Sequence, residues 1–376
     1  MRVLHVISDK NIGGAGVLLC TLLHNFDTER VQSVVALPRE SALLERIGAL
    51  GVPVRELRHS CDRLSGGSVR EIREIVETEQ ADLVHANAAL SARLAGKMCH
   101  VPVLHTRHCC YPPRGVWKLS SVRHLGGALN RWLSDRVIAT ADAAAENLRQ
   151  LGIPPEQIEV ILNGSEPIRT VGYEELRQLR TRWNLRESDF CVGICARLES
   201  CKGHETFLEA AKLILERLPQ VPFRFLIVGT GSREEHLRRL TERLGISSAV
   251  RFLGFVSDMA PVYRLLRINV NCSKGTETSC LALSEGMSAS LPTVASDYGG
   301  NRAMIGESGA GILFPVGDCR ALSDAICHIA TSTILERSMR DAAQMRYLQK
   351  YTAVHMTEHL TRVYESLASA SAGKHK

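Results

Sequence analysis

The stretch FCVGICARLESCKGHETFLEAAKLIL, residues 190–215, decides the fold. It opens with a continuous apolar run, 190–196, where a half-exposed strand would alternate. Parallel strands buried on both faces read this way. A loop carrying Arg197, Lys202 and Gly203 follows, and then a segment of helix length. This strand–loop–helix unit restarts a pattern that the N-terminal half has already run through. There, apolar runs at 3–7, 33–37, 52–57, 83–86, 103–106, 137–140 and 159–162 are separated by segments of helix length. A polar stretch with Pro167 and Gly172 forms a linker, and a helix is expected over 174–183. Further runs stand at 223–228, 250–253, 268–271, 293–296 and 311–314.

Repeated βα units imply parallel sheets with right-handed crossovers. Two consecutive sets predict two Rossmann-like domains, 1–165 and 166–351, in a chain whose 376 residues exceed what one core usually holds. The tail from about Leu335 reads as helical, and a helix over about 352–370 is expected to pack back on the first domain. In open α/β sheets, ligands bind beyond the carboxyl ends of the strands. Two such sheets facing across a cleft would line it with strand-end loops, so the functional residues are sought just after strands.

Composition narrows the class. Hydrophobic residues make up 45% and charged residues 23%, the balance of a globular protein, and no apolar run approaches the ~20 residues of a membrane span. Met1-Arg2 runs straight into a strand-like segment without a secretory leader, so a cytoplasmic location is expected. The twelve cysteines form no CxxC pair, which argues for reduced thiols filling the core. Net charge is +6, unevenly spread. Between Asp82 and Asp135 there is no acidic residue, yet the stretch holds seven Lys or Arg and five His. Such a one-sign field attracts anions.

Five strand-end segments could carry chemistry. Asn11-Ile12-Gly13-Gly14-Ala15-Gly16 lets backbone N–H groups approach an anion, or serves only as a tight βα turn. Its spacing is not the dinucleotide fingerprint, and Pro38-Arg39 stands where that fingerprint needs an acid, which disfavours NAD chemistry. His105, Arg107 and His108 cluster at another strand end; Cys99, His100, Cys109 and Cys110 lie nearby but fit no tetrahedral metal spacing. Arg197 and Lys202 flank one loop and suit a pyrophosphate, or form a solvated basic loop. Glu277 and Glu285, with seven residues between them, bracket a helix N-terminus that offers free N–H groups. Ser296-Asp297-Tyr298-Gly299-Gly300-Asn301 supplies a Gly-Gly turn that lets the backbone approach a ligand or another loop.

Taken in order, these segments resemble the retaining glycosyltransferases of the GT-B fold, in the large family 4 (glycosyl transferases group 1), over nearly the whole chain. Val160-Ile161-Leu162-Asn163-Gly164 resembles the family's "vipNGvD" segment, 195–203 its "gRl…KG" loop, and Glu277 to Glu285 its E-x7-E motif. Pro292 to Ser296 followed by Gly299-Gly300 resembles its "P-V-a-s..GG" signature. The resemblance implies a nucleotide-sugar donor, UDP favoured over GDP or ADP, with no cofactor and no metal. It implies that Arg197 and Lys202 bind the donor phosphates. Glu277 would hold the transferred sugar and Glu285 the ribose. Gly14 and Gly16 would approach the distal phosphate or sugar, and His105 would touch the donor sugar. Thr278, Ser279, Cys280 and Leu281 would line the donor pocket. The first three stand where the family usually has glycines, which reshapes the sugar pocket.

With no nucleophile evident on the donor face, a front-face route assisted by the departing phosphate is expected. The acceptor expected from the resemblance is a sugar or lipid-linked hydroxyl in cell-surface polysaccharide or glycolipid synthesis. An anionic membrane surface is a further expected partner. A segment at 117–133 puts Val122, Leu125, Leu129 and Trp132 on one stripe beside Arg123, His124 and Arg131. The segment reads as a helix that Gly126-Gly127 weaken, and a packed helix with a solvated basic face is the alternative. Peripheral attachment on the inner face of the membrane would follow from the first reading. Nucleic acid is not expected, since the basic stretch lacks interleaved aromatics. An epimerase or phosphorylase on the same fold, or a non-catalytic sugar-nucleotide-binding subunit, are the competing readings.

Overall fold

The computed structural model describes residues 1–10, 12–61, 64–87, 89–108, 115, 120–275 and 279–372. The chain divides into two compact units, Met1–Gly164 with Ala353–Lys376, and Ser165–Thr352.

In the first unit, strands β1 (Arg2–Ile7), β2 (Gln32–Pro38), β3 (Val54–Leu57), β4 (Leu83–Asn87), β5 (Val103–Arg107), β6 (Arg136–Ala139) and β7 (Ile158–Val160) form one sheet. Their order is β3-β2-β1-β4-β5-β6-β7, and every pairing is parallel. The strand expected from 52 begins at Val54, after Pro53, whose missing N–H cannot join the ladder. Helices α1 (Gly14–Asn25), α2 (Leu43–Gly48), α3 (Gly66–Glu79), α4 (Leu90–Met98), α5 (Ser120–Leu133) and α6 (Asp142–Gln150) make the crossovers. The glycine pair at 126–127 does not break α5. Gly127 faces the turn at Gly152 so closely that a methyl there would stand 2.0 Å from the Gly152 carbonyl oxygen.

The second unit repeats the plan. Helix α7 (Tyr173–Arg182) precedes β8 (Phe190–Cys195), β9 (Phe223–Val228), β10 (Val250–Gly254), β11 (Ile268–Asn271), β12 (Thr293–Ser296) and β13 (Gly311–Phe314). The sheet order is β10-β9-β8-β11-β12-β13, again parallel. Helices α8 (His204–Arg217), α9 (Glu234–Arg243), α10 (Ala260–Leu265), α11 (Leu281–Ser288) and α12 (Asn301–Ile305) connect the strands, and α13 (Cys319–Thr331) follows the last of them. Phe223 stacks on Phe225 at 5.9 Å, and Phe207 and Phe190 meet them edge-on at 5.8 and 5.1 Å. Each such ring contributes up to about 3 kcal/mol on burial.

Helix α14 (Thr333–Lys350) stays with the second unit, capped by Ser332, whose hydroxyl accepts from Leu335 N. Helix α15 (Ala353–Ala372) packs on the first. There the Tyr364 hydroxyl and His85 Nδ1 share a buried hydrogen bond of 2.6 Å, and Arg30 binds Glu365 and Glu358 at 2.9 Å. A hydrophobic period along α15 says that one face is buried. The partners of that face come from residues hundreds of positions away.

In each sheet the chain reverses its direction of winding once. The reversal lies between β1 and β4 in the first unit and between β8 and β11 in the second. A crevice opens at the carboxyl ends of strands at such a point.

Candidate functional site

The second unit's crevice is bounded by the loops that follow β8 and β11. After β8, Arg197 is exposed and Lys202 half-buried. Gly203 caps α8 with φ 68°, and a methyl on it would stand 2.1 Å from the Cys272 carbonyl oxygen. Only glycine meets both demands, the left-handed backbone and the close approach. The backbone N–H of Lys274 donates to the Cys201 carbonyl at 2.8 Å. The cationic loop is thereby fastened to the loop after β11.

That second loop is anchored from below. Asn271 Oδ1 accepts from Ser273 N (2.9 Å) and from Asn301 Nδ2 (3.2 Å). Asn301 Nδ2 also donates to the Ser296 carbonyl, and Ser296 Oγ to the Ser273 carbonyl at 2.6 Å. The segment 296–301 is expected to approach a ligand or another loop. Its Ser296 and Asn301 side chains are buried and tie one strand end to the next, as buried polar groups must find partners.

Ser279 and Cys280 are buried, and Cys280 caps α11, which starts at Leu281. Glu277 and Thr278 lie outside the described residues. Glu285 sits one turn into α11, half-buried, and accepts a hydrogen bond of 2.7 Å from the Tyr263 hydroxyl. Tyr263 is only 1% exposed. Burial, reinforced by the charge of Glu285, pushes its phenol well above the usual range, so it remains a donor. Burial, then Glu285, likewise raises the Cys195 thiol at the end of β8, and burial raises Cys272. These thiols stay protonated and are poor nucleophiles. Tyr263 went unremarked in the sequence because it lies 22 residues from its partner, inside an apolar helix that reads as core.

Arg197, Lys202, Ser279 and Cys280 therefore belong to two neighbouring strand-end loops of one unit, and Leu281 and Glu285 to the start of the helix that follows the second loop. Gly14, Gly16 and His105 belong to the other unit. Gly14 is exposed at the start of α1, and a methyl on it would meet nothing within 4 Å. Gly16 is buried, and a methyl there would stand 2.7 Å from the Leu43 side chain, so close helix packing accounts for this glycine. His105 is buried within β5, with Nδ1 3.1 Å from the Ala86 carbonyl. Burial, with a smaller push from Arg93, lowers its pKa to about 3. His108, just beyond the strand, shares a 3.0 Å hydrogen bond with Asn87 Oδ1, and burial lowers it to about 4. Asn87, Thr106, His108 and Thr140 line a cavity of about 20 Å³ at the carboxyl ends of β4 to β6. Asn87 carried no motif. Its signal is positional, because it ends the strand beside the reversal point. Among the described residues, no three His, Cys, Asp or Glu side chains are grouped to hold a metal.

Two all-parallel Rossmann-like units, one with a fastened cationic loop beside an acid at its crevice, define a GT-B type enzyme. Residues 12–168 match the family described as Glycosyltransferase Family 4, and residues 189–332 that described as Glycosyl transferases group 1. The chain belongs to this glycosyltransferase family. It is 27% identical to EpsD of Bacillus subtilis (strain 168), provisionally named a glycosyltransferase, over 84% of each chain. It is 32% identical to the phosphatidyl-myo-inositol mannosyltransferase of Mycobacterium leprae (strain TN) over 46% of each. The crystal structure of Anabaena Alr3699/HepE in complex with UDP and glucose superposes with a TM-score of 0.83 and 20% identity. That alignment covers 97% of this chain and 100% of the other, and it shows the same fold. Among the described residues, no helix is long and apolar enough to cross a membrane.

Proposed function

We propose that this glycosyltransferase moves a sugar from a nucleoside-diphosphate sugar, UDP favoured, to an acceptor hydroxyl with retention of anomeric configuration and without a metal. The observation that carries the reading is the fastening of the Arg197–Lys202 loop to the loop preceding α11, beside Glu285. Two cations and a helix N-terminus without a side-chain cap are suited to a departing pyrophosphate. Arg197 and Lys202 would neutralise its charge, and Glu285, steadied by Tyr263, would accept from ribose hydroxyls. Glu277 would hold hydroxyls of the transferred sugar. Across the reaction the bond from the anomeric carbon to the phosphate oxygen breaks, and a bond to the acceptor oxygen forms on the same face. The acceptor proton passes to the departing phosphate. Gly14 and His105 are proposed to touch the donor on the strength of the family resemblance alone. At pH 7 either ring, His105 or His108, would act as a neutral hydrogen-bonding group and not as an imidazolium.

The UDP preference draws support from Alr3699/HepE, solved with UDP and glucose. A polysaccharide or glycolipid acceptor draws support from relatives that are named phosphatidyl-myo-inositol mannosyltransferase and D-inositol 3-phosphate glycosyltransferase.

Lys202→Ala should lower turnover about 10²-fold, as loss of one oxyanion donor does. Retention of turnover in a folded variant would remove the assignment. Thermal-shift measurements against UDP, GDP and ADP select the base. A specific ligand at 100 times its Kd stabilises by ~2.7 kcal/mol.

A further inference from the structure

The small cavity at the carboxyl ends of β4 to β6 collects hydrogen-bonding groups from three strands. Register brings them together. Asn87 of β4 pairs with Thr106 of β5, and Thr106 with Ile138 of β6. Thr140 stands two residues beyond Ile138, so the pleat puts Asn87, Thr106 and Thr140 on one face of the sheet. All three are buried, and all three line the cavity. Leu18 and Leu22 of α1 and Met356 and Leu360 of α15 join the lining.

The protons around this cavity are ordered from one side. The buried Tyr364 hydroxyl meets His85 Nδ1 at 2.6 Å, and its proton has no other acceptor among the described residues. The hydroxyl therefore donates, and Nδ1 accepts. Burial holds the His85 ring well below its ordinary pKa, so the ring is neutral and its one proton sits on Nε2. That proton is donated to Thr106 Oγ1 at 2.7 Å. Thr106, having accepted, keeps its own hydroxyl proton for a further partner. On the next strand Asn87 Oδ1 faces His108 Nε2 at 3.0 Å. Asn87 Nδ2 and Thr140 Oγ1 meet no hydrogen-bond partner among the described residues. Buried polar groups left in that condition are costly.

The volume selects what satisfies them. A cavity of about 20 Å³ accommodates one water and nothing larger. We propose that it binds one water molecule, which accepts from Asn87 Nδ2 and Thr106 Oγ1 and donates to Thr140 Oγ1. About three hydrogen bonds are what a buried water makes. The water extends the chain of hydrogen bonds from Tyr364 on α15 through His85 and Thr106 to Asn87. It also fixes the Asn87 amide with its oxygen towards His108, just beyond β5. The proposal does not depend on sugar transfer, and each can fail without the other.

A high-resolution crystal structure of the full chain should show one solvent peak within about 2.7–3.2 Å of Asn87 Nδ2, Thr106 Oγ1 and Thr140 Oγ1. Thr140→Val keeps nearly the same shape and removes one of the three bonds. Its unfolding equilibrium constant in urea should rise about fivefold. Thr357 Oγ1 is also buried without a partner, but Thr357 does not line the cavity. Thr357→Val, which exchanges a lone hydroxyl for a methyl, should leave that constant unchanged or lower it. In nitrogen-15 NMR spectra the His108 proton should sit on Nε2. A proton on Nδ1 would turn the Asn87 oxygen to the cavity and overturn the proposal. So would a peak that is missing or larger than one oxygen, or Thr140→Val behaving like Thr357→Val.

Discussion

Replacing Tyr263 with Phe removes one oxygen from the interior and tests the acid that it supports. The ring lies in an apolar cluster with Leu226, Val262 and Leu291, and Phe keeps nearly all of that packing. What is lost is the 2.7 Å hydrogen bond to Glu285 Oε2; the other acceptor, the Ala282 carbonyl, is at a long 3.4 Å. A hydrogen bond to a charged group contributes ~1.5–3 kcal/mol. Glu285 is half-buried, so water recovers part of this. A net loss of ~1.4 kcal/mol corresponds to about 10-fold. The expected outcome is a 10-fold fall in kcat/KM for the nucleotide sugar, carried mainly by KM, with global stability lowered by about 1 kcal/mol. Steady-state kinetics at varied donor, alongside urea unfolding, separates the two effects. The decisive measurement is the double-mutant cycle with Glu285→Ala. If Tyr263 acts only by holding Glu285, the double variant is no worse than Glu285→Ala alone. Full donor kcat/KM in Tyr263→Phe, or losses that simply add, would refute the reasoning.

Acid should destabilise the first unit before its carboxylates titrate. Burial holds His5 and His105 at about 3 and His108 at about 4, against an ordinary value near 6.5. Below pH 6.5 the unfolded chain takes up protons that the folded chain refuses, so stability is present above that pH and falls as pH drops toward the folded values. At pH 5 the buried His5 and His105 rings each cost on the order of 2 kcal/mol. Urea midpoints at pH 7 and pH 5 read this directly, and equal midpoints would contradict it. Gly203→Ala combines a left-handed backbone with a 2.1 Å approach to carbonyl oxygen and should cost at least ~2 kcal/mol. Gly14→Ala meets no neighbour and should stay within ~0.5 kcal/mol of the parent. If the Gly14 backbone approaches the donor, that variant still raises donor KM; unchanged kinetics would reduce the turn to a connector.

Periodicity along the chain was enough to place the strands and to class the sheets as parallel. Continuous apolar runs such as 190–196 and 223–228 have no other stable use beside helix-length segments. The loop bearing Arg197 and Lys202 and the helix start bearing Glu285 were legible because ligand sites in such sheets follow strand ends. Which loops adjoin was another matter. That depends on the strand order β10-β9-β8-β11, a property of long-range pairing that local pattern does not encode. The same holds for the residues that serve the site from behind. Tyr263 and Asn301 read as core helix and turn, and only folding brings them to Glu285 and Asn271. At 105 the sequence shows a histidine near a strand end, and the pleat decides which way it faces. In α5 the stripe was visible but its direction was not, because an apolar face has the same period whether it meets a core or a membrane. The Gly127–Gly152 contact turns the small face inward and leaves Leu125, Leu129 and Trp132 to the solvent.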